Sequence, residues 1–558
     1  MGSQGSISPK RPQHSHPCLR STSCLRVEGR PIHRWDPSSL DRHRPPLPLT
    51  PHPLLFVILP RDPALHAIDL AIVVVYVALT LGIGAWAARS QKSSGDYFLG
   101  ARDLPAFAVL LSIVATETSA LTVVSIPGLG ARTDLTFLQV VLGYIVGRIG
   151  VAAWLLPGYF AHTQETAYER LEKRFGQNTR RLAAAVFIVT RFLGDAVRVF
   201  AGAIPLALLT GWNIPLTIII LGCITVAYTW HGGLKAVVWT DVVQLAVYVA
   251  GGLTALFIAV GLAGGWSAAW GAASAAGKLT LLRPELSFTA PYTLLAGVLG
   301  GALLSAASHG TDHLIVQRLL ATRSLRDGRI ALVGSGFAVF FQFLLFLSVG
   351  VAIWAAGNAP DGVASDTIFP AFVVSHFPVG LSGLLVAGIL AASMCSHSSA
   401  ISALASSTTY DLYATWTGTT DQGRLLKVGK GLTIFWGVAL ILGSLGFHYF
   451  STSGTPIVVL ALSIASVTYG GLLGAYILAG RWPRATGRDV IGAIATTTLL
   501  MLVVIFAKTL AEVPAFGFLA PVGRLAWPWY VPLGTGLALL SGAAFSYLPR
   551  NPTPSRTA

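Results

Sequence analysis

Between residues 67 and 547 apolar stretches recur about thirteen times, each near the 20 or so helical residues needed to cross bilayer hydrocarbon. They fall at 67–88, 105–130, 136–160, 182–210, 213–231, 236–262, 290–310, 329–357, 377–410, 424–447, 454–479, 489–510 and 527–547. This pattern predicts an all-α polytopic membrane protein. Polar positions inside the spans are few and clustered, which makes each cluster informative. In the second span Ala115-Thr116-Glu117-Thr118-Ser119-Ala120 places a carboxylate roughly 15 Å below the boundary at Pro105, at 1.5 Å of rise per residue. Such a group survives there only against protein or a water-lined cavity. An interrupted helix satisfies that condition and frees the carbonyls of Ala115 and Thr118. A continuous helix, with Thr and Ser bonded back to their own carbonyls, leaves Glu117 in need of a partner.

Further polar clusters lie in other spans. The ninth span reads Ala392-Ser393-Met394-Cys395-Ser396-His397-Ser398-Ser399, with Ser396 and Ser399 on one helical stripe and Cys395 and Ser398 on another. Hydroxyls so grouped either bind neighbouring helices together or supply oxygen to a small hard cation. Asp241, in Trp239-Thr240-Asp241, is either an interfacial carboxylate or a fixed charge beside that hydroxyl cluster. Arg191, Asp195 and Arg198 share one face of the fourth span and leave one positive charge over, to be balanced by Glu117 or by an anionic solute. Arg148 in the third span adds another. The seventh span ends Ser305-Ala306-Ala307-Ser308-His309-Gly310-Thr311-Asp312-His313, which suggests a second interruption, with His309 either a solute contact or an interfacial histidine. Outer loops 263–289 and 358–376 cover an entrance, and Glu165 to Arg181 reads as a short amphipathic inner helix.

Composition supports the membrane class. The 558 residues are 53% hydrophobic and 11% charged, with mean hydropathy +0.67, where soluble domains carry about 25% charged residues. The four cysteines Cys18, Cys24, Cys223 and Cys395 form no CxxC pair and no zinc spacing. A net charge of +15 could suggest nucleic acid, but its distribution argues for topology. With the first span entering from outside, the outer side holds only Arg132, Lys278, Arg283, Lys508 and Arg524, while the inner loops hold far more, as positive-inside retention requires. This orientation puts the N-terminus outside and the C-terminus in the cytoplasm of a cell bounded by its plasma membrane. Residues 1–66, rich in Pro, His, Arg and Ser, read as a disordered basic tail. A basic tail resists export, so one explanation is a wrongly assigned start.

Taken together these pieces resemble the sodium:solute symporter family, over nearly all of residues 67 to 480. The resemblance rests on Asp96-Tyr97-Phe98-Leu99-Gly100-Ala101-Arg102, on Gly232-Gly233-Leu234-Lys235-Ala236-Val237-Val238-Trp239-Thr240-Asp241, on Gln317-Arg318, and on the serine-rich ninth span ending Tyr410-Asp411-Leu412-Tyr413. It implies a LeuT-type 5+5 inverted repeat, with one leading and two trailing helices, a first repeat at 105–262, a second at 290–479 and a short cytoplasmic tail at 548–558. It implies a first sodium site from Ala115, Thr118, Ala392, Cys395 and Ser396. The family has Ser where this chain has Cys395, and a thiol is a poor sodium ligand. Asp241, Ser398 and Ser399 match a second sodium site of some members. Solute contacts match Glu117, Thr122, Ser305, Ser308 and His309. The expected activity is symport of a small organic solute (an organic anion, a sugar or an amino acid) with Na+ as coupling ion, in a lipid bilayer, without nucleic acid or an obligate protein partner. Alternatives are a proton-coupled carrier on the same fold, using Glu117 or Asp241, and a transporter-like solute sensor. No HExxH or GxSxG motif points to an enzyme.

Overall fold

A computed structural model describes residues 66–89, 91–450 and 457–549. Expectations for the N-terminal tail up to residue 65, for the first residues of the eleventh span and for residues 550–558 lie outside the described residues. The main helices are α1 (Ala67–Ala88), α2 (Ala106–Glu117), α3 (Ala120–Arg132), α4 (Leu138–Phe160), α5 (Gln177–Thr210), α6 (Ile214–Leu262), α7 (Leu294–Gly310), α8 (His313–Leu320), α9 (Leu325–Ala355), α10 (Ser365–His376), α11 (Leu381–Ser407), α12 (Gln422–Phe450), α13 (Ile457–Arg481), α14 (Gly487–Ile505) and α15 (Tyr530–Ser546). Among the described residues, eight helices are long and apolar enough to span a membrane, or ten when each of two bent pairs is one span.

Those pairs are α2 with α3, bent by 63°, and α7 with α8, bent by 60°. Both interruptions fall where the polar clusters predict them. Elsewhere, two predicted spans run on as one element. The 49 residues of α6 would reach about 73 Å at 1.5 Å per residue, over twice the hydrocarbon thickness. Gly233, at φ 56° and ψ −155°, folds the chain between them in a conformation only glycine adopts without strain. A Cβ there would lie 2.4 Å from the Tyr97 carbonyl oxygen, so the Gly-Gly-Leu-Lys motif and the Asp-Tyr-Phe-Leu-Gly motif meet at this bend.

Close helix approach comes from small residues. At the α4–α7 contact, a Cβ on Gly147 would sit 2.2 Å from the Ala302 carbonyl oxygen, and one on Gly301 would sit 2.3 Å from that of Val140. Backbone-to-backbone packing of this kind holds membrane helices where no hydrophobic effect separates them from lipid. The most enclosed span is α11, which packs against α1, α5, α6 and the broken pair α2/α3.

Three boundaries differ from the sequence expectation. The predicted helix over Glu165 to Arg181 forms only over Glu169–Phe175, because Gly176 at φ 88° stops it, and Arg180 and Arg181 lie instead in the first turns of α5, which begins at Gln177. The outer loops fold into Trp266–Ala275 and α10. The hydroxyl-bearing α11 continues through a widened turn at Thr408–Tyr413, so its run is longer than predicted.

Candidate functional site

The interruption in the first broken pair decides the site. Thr118 (φ −87°, ψ 86°) and Ser119 (φ −77°, ψ 168°) leave helical geometry. The Ser119 N–H, which a continuous helix would give to Ala115, goes to the Glu117 carbonyl instead. Carbonyls so released need partners, and α11 supplies them. The Cys395 thiol lies 2.9 Å from the Ala115 oxygen, 3.8 Å from that of Thr118 and 3.3 Å from that of Ala392. Ser396 Oγ donates to the Thr116 carbonyl at 3.4 Å. All five residues matched to the first sodium site are buried and come together here. Three converging carbonyls with a neighbouring hydroxyl form a donor set that suits a small hard cation. The sulfur is its one soft member.

A second cluster lies deeper along the same two helices. Asp241 Oδ2 accepts from Ser112 Oγ at 2.5 Å, from Thr116 Oγ1 at 3.4 Å and from Arg318 Nη2 at 3.2 Å. Both partners of the ion pair are fully buried. Arg318 also donates to Ser399 Oγ, and Ser399 lies 3.0 Å from Thr116 Oγ1. Asp241 and Ser399 are thus brought together, while Ser398 Oγ bonds back to the Cys395 carbonyl of its own helix at 3.2 Å. Sequence reading named Gln317-Arg318 as a motif without giving the arginine a role. The predicted spans at 290–310 and 329–357 left it in a loop, so nothing along the chain signalled its burial against Asp241.

Four of the five solute-matched residues surround a cavity of about 310 Å³. Glu117, Thr122, Ser305 and Ser308 line it together with the aromatic wall of Phe137, Tyr144, Tyr292, Phe343 and Trp527. His309 instead faces an adjoining cavity of about 80 Å³, shared with Glu117, Ser308 and Ser396. Its Nδ1 sits 2.8 Å from Ser308 Oγ and 3.1 Å from the Ser305 carbonyl. Ser365 and Asp366 of α10, which falls within the predicted loop 358–376, also line the larger cavity.

The charges within the spans are balanced differently from the sequence reading. Glu117 pairs with the fully buried Arg148, whose Nη1 also donates to Ser335 Oγ at 2.7 Å. Glu117 therefore does not balance the Arg191 face. That face carries no surplus, because the buried Asp312, at the break between α7 and α8, pairs with Arg191. Asp195 takes Arg198 at 2.8 Å, and Tyr469 donates to Asp312 at 2.8 Å. Two carboxylates meet two guanidiniums. The surplus predicted from α5 alone vanishes because its counter-charge is more than a hundred residues away in sequence, where spacing along one helix cannot show it.

Broken membrane helices, oxygen groups converging on the break and an adjoining cavity define a polytopic secondary transporter. Comparison with known proteins agrees. The model of the sodium:solute symporter family matches residues 97–499, and the chain belongs to that family. It is 28% identical to the human sodium/iodide cotransporter over 460 residues, covering 80% of this chain and 71% of the relative. With the sodium/glucose cotransporter of Vibrio parahaemolyticus it shares 26% over 471 residues, covering 77% and 84%. A sodium/sialic acid symporter of Aliivibrio fischeri is 27% identical over 380 residues, covering 66% and 74%. In fold it is similar to a substrate-bound, outward-open sodium-coupled sialic acid symporter, with TM-score 0.76 and 23% identity over 86% of this chain and 98% of that one. The chain is a membrane transporter with a LeuT-type fold, not an enzyme, and sodium is its coupling ion.

Proposed function

We propose that this protein imports a small organic solute together with sodium across the plasma membrane, by alternating access. One observation carries the reading: the carbonyls freed at Ala115 and Thr116 are met by Cys395 and Ser396 of α11. A cation held by Ala115, Thr118, Ala392 and Ser396 would tie the broken α2/α3 pair to α11. Loss of that cation would loosen the tie. The ion drives transport only through its different affinity for the two states, to which a potential of about 100 mV adds roughly 2.3 kcal/mol per charge moved.

Residues 105–262 and 290–479 are the two inverted repeats of this scheme. In support, each begins with a bent pair, and the bends differ by only a few degrees. The basic inner loops favour a cytoplasmic C-terminus and an outer N-terminus. Glu117, Thr122, Ser305 and Ser308 contact the solute in the larger cavity, and His309 orders the Ser305–Ser308 turn beside it. The wall of five aromatics with a few hydroxyls suits a solute having both apolar and polar faces. The proton-coupled alternative is less favoured, since Glu117 and Asp241 each already face an arginine.

Purified protein in proteoliposomes, given labelled organic acids, sugars, amino acids and iodide with and without an inward sodium gradient, tests the reading. At least one solute is expected to accumulate only with the gradient. Accumulation that follows a proton gradient and ignores sodium overturns it.

A further inference from the structure

The leading helix α1 is pinned to α11 at two places. Asp69 Oδ1 accepts the N–H groups of Gly380 and Gly383, each at 2.7 Å, and so caps the start of α11 from another helix. A Cβ on Gly383 would lie 2.5 Å from Asp69 Cα, so the two backbones touch there. Farther along, the buried Tyr76 hydroxyl lies 3.8 Å from Met394 Sδ and accepts from Gln244 Nε2 at 3.1 Å. Gly383, Val386, Leu390 and Met394 follow one another at helical spacing, on one stripe of α11. The two pins set the separation of the helices at both ends of that stripe, and the apolar side chains between them stand apart. A cavity of about 420 Å³ opens there, between α1, α5, α6 and α11. Its floor is Leu206, Leu221, Val386 and Leu390, all buried, and its rim carries the exposed Val74 and Trp212.

No charged side chain lines this cavity, and the hydroxyls of Thr210 and Thr217 are bonded back to the carbonyls of Leu206 and Asn213 at 2.7 and 3.0 Å. Water in it would lack partners, whereas hydrocarbon would make dispersion contacts along the whole wall. Its rim faces the bilayer, because α1, α5 and α6 are long and apolar enough to span a membrane. The lining on α1 runs from Leu70 to Leu81, about 17 Å at 1.5 Å of rise per residue, against about 15 Å for half of the hydrocarbon thickness. Trp212, between α5 and α6, stands at one end of the cavity and marks the interfacial depth that tryptophan favours. We propose that this cavity is a lipid site holding one acyl chain of a bilayer phospholipid, with its carbonyl end at Trp212 and its methyl end toward Leu81. The site is separate from the sodium pocket and from the solute cavities. The chain completes the packing of α11 up to Met394, the neighbour of Cys395.

The test uses the purified full-length protein in phosphatidylcholine nanodiscs doped with a phosphatidylcholine that carries a diazirine midway along one acyl chain. After illumination, the labelled residues are mapped by mass spectrometry. Val386 and Leu390 are expected to carry label although they are only 1% and 5% exposed, because a chain inside the cavity reaches them and one outside does not. Ala78→Trp sets a large ring against the cavity from its lining and is expected to lose that label. Leu79→Trp, an exposed position on the same helix outside the lining, is expected to keep it. Label confined to outward side chains such as Leu540, with none on Val386 or Leu390, is ordinary boundary lipid and overturns the proposal, and this result needs no variant to fold. Label on Val386 and Leu390 that persists undiminished in a folded Ala78→Trp overturns it as well. Label there from a diazirine sterol but not from the phospholipid overturns the choice of an acyl chain.

Discussion

The Cys395 thiol lies 2.9 Å from the Ala115 carbonyl oxygen, and this contact joins the broken end of α2 to the centre of α11. Sulfur holds a position where oxygen would serve a sodium ion better. Cys395→Ser is therefore expected to lower the sodium concentration for half-saturation by about three- to tenfold, tenfold being about 1.4 kcal/mol. Cys395→Ala, with no donor atom, should raise it. Sodium titration of the purified protein measures both. An unchanged affinity in the serine variant would place the ion elsewhere.

Arg148 and Glu117 are a pair that burial makes costly to divide. Removing one partner of a buried ion pair costs about 3–5 kcal/mol, whereas replacing both by neutral groups of similar shape can be nearly neutral. Arg148→Met should lower the melting temperature sharply. Arg148→Met/Glu117→Gln should recover most of that stability and leave uptake impaired, because Glu117 lines the larger cavity. Thermal melts of the single and double variants decide it. A double variant no more stable than Arg148→Met would mean that the pair is not coupled.

The bend at Gly233 gives a cleaner comparison. Gly233→Ala must place a Cβ 2.4 Å from the Tyr97 carbonyl oxygen and accept φ 56°, a strain of about 1–3 kcal/mol from the backbone alone. Gly150→Ala meets nothing within 4 Å and should fold as the parent does. Expression and melting temperature of the two variants, compared side by side, check the expectation.

A pH effect is expected in the loop between α4 and Glu169–Phe175. Burial and the neighbouring Glu169 carboxylate push the Glu165 carboxyl from 4.5 up to about 7, against the pull of Arg180 and Arg102. The packed loop therefore holds a proton that the opened loop releases. Its added stability is complete below pH 4.5 and is lost as pH rises through about 7. Hydrogen exchange over residues 161–175 should accordingly quicken between pH 5 and 8, after correction for the intrinsic rate. Glu165→Gln should flatten that change. A slope that survives in the glutamine variant assigns it to another group.

Much of the fold was legible because bilayer hydrocarbon imposes a strict rule on the chain: long apolar helices, with polar groups only where protein receives them. That rule found the break at Thr118 and Ser119, since Glu117 could not lie in lipid, and it found the second break after His309 and Gly310. The wide turn after Ser407 and the stop at Gly176 were not foreseen, because helix continuation there depends on what packs alongside. The hydroxyl stripe of α11 left helix packing and ion binding equally open. The tertiary structure adds that Cys395 and Ser396 of this stripe meet the freed carbonyls of α2, a contact between distant helices that periodicity along one helix cannot show.

Charge pairing marks the boundary between the two levels. The sequence by itself determined that Glu117, Arg148, Arg191 and Asp241 lie in spans and need partners, because an isolated charge is costly at that depth, while Arg318 fell in the loop between the spans at 290–310 and 329–357. Only the tertiary structure decided the pairings. Arg148 took Glu117, Asp312 took Arg191, and Arg318 took Asp241. Coulomb attraction acts through space over a few ångströms, whereas residues that approach so closely here can lie more than a hundred positions apart along the chain.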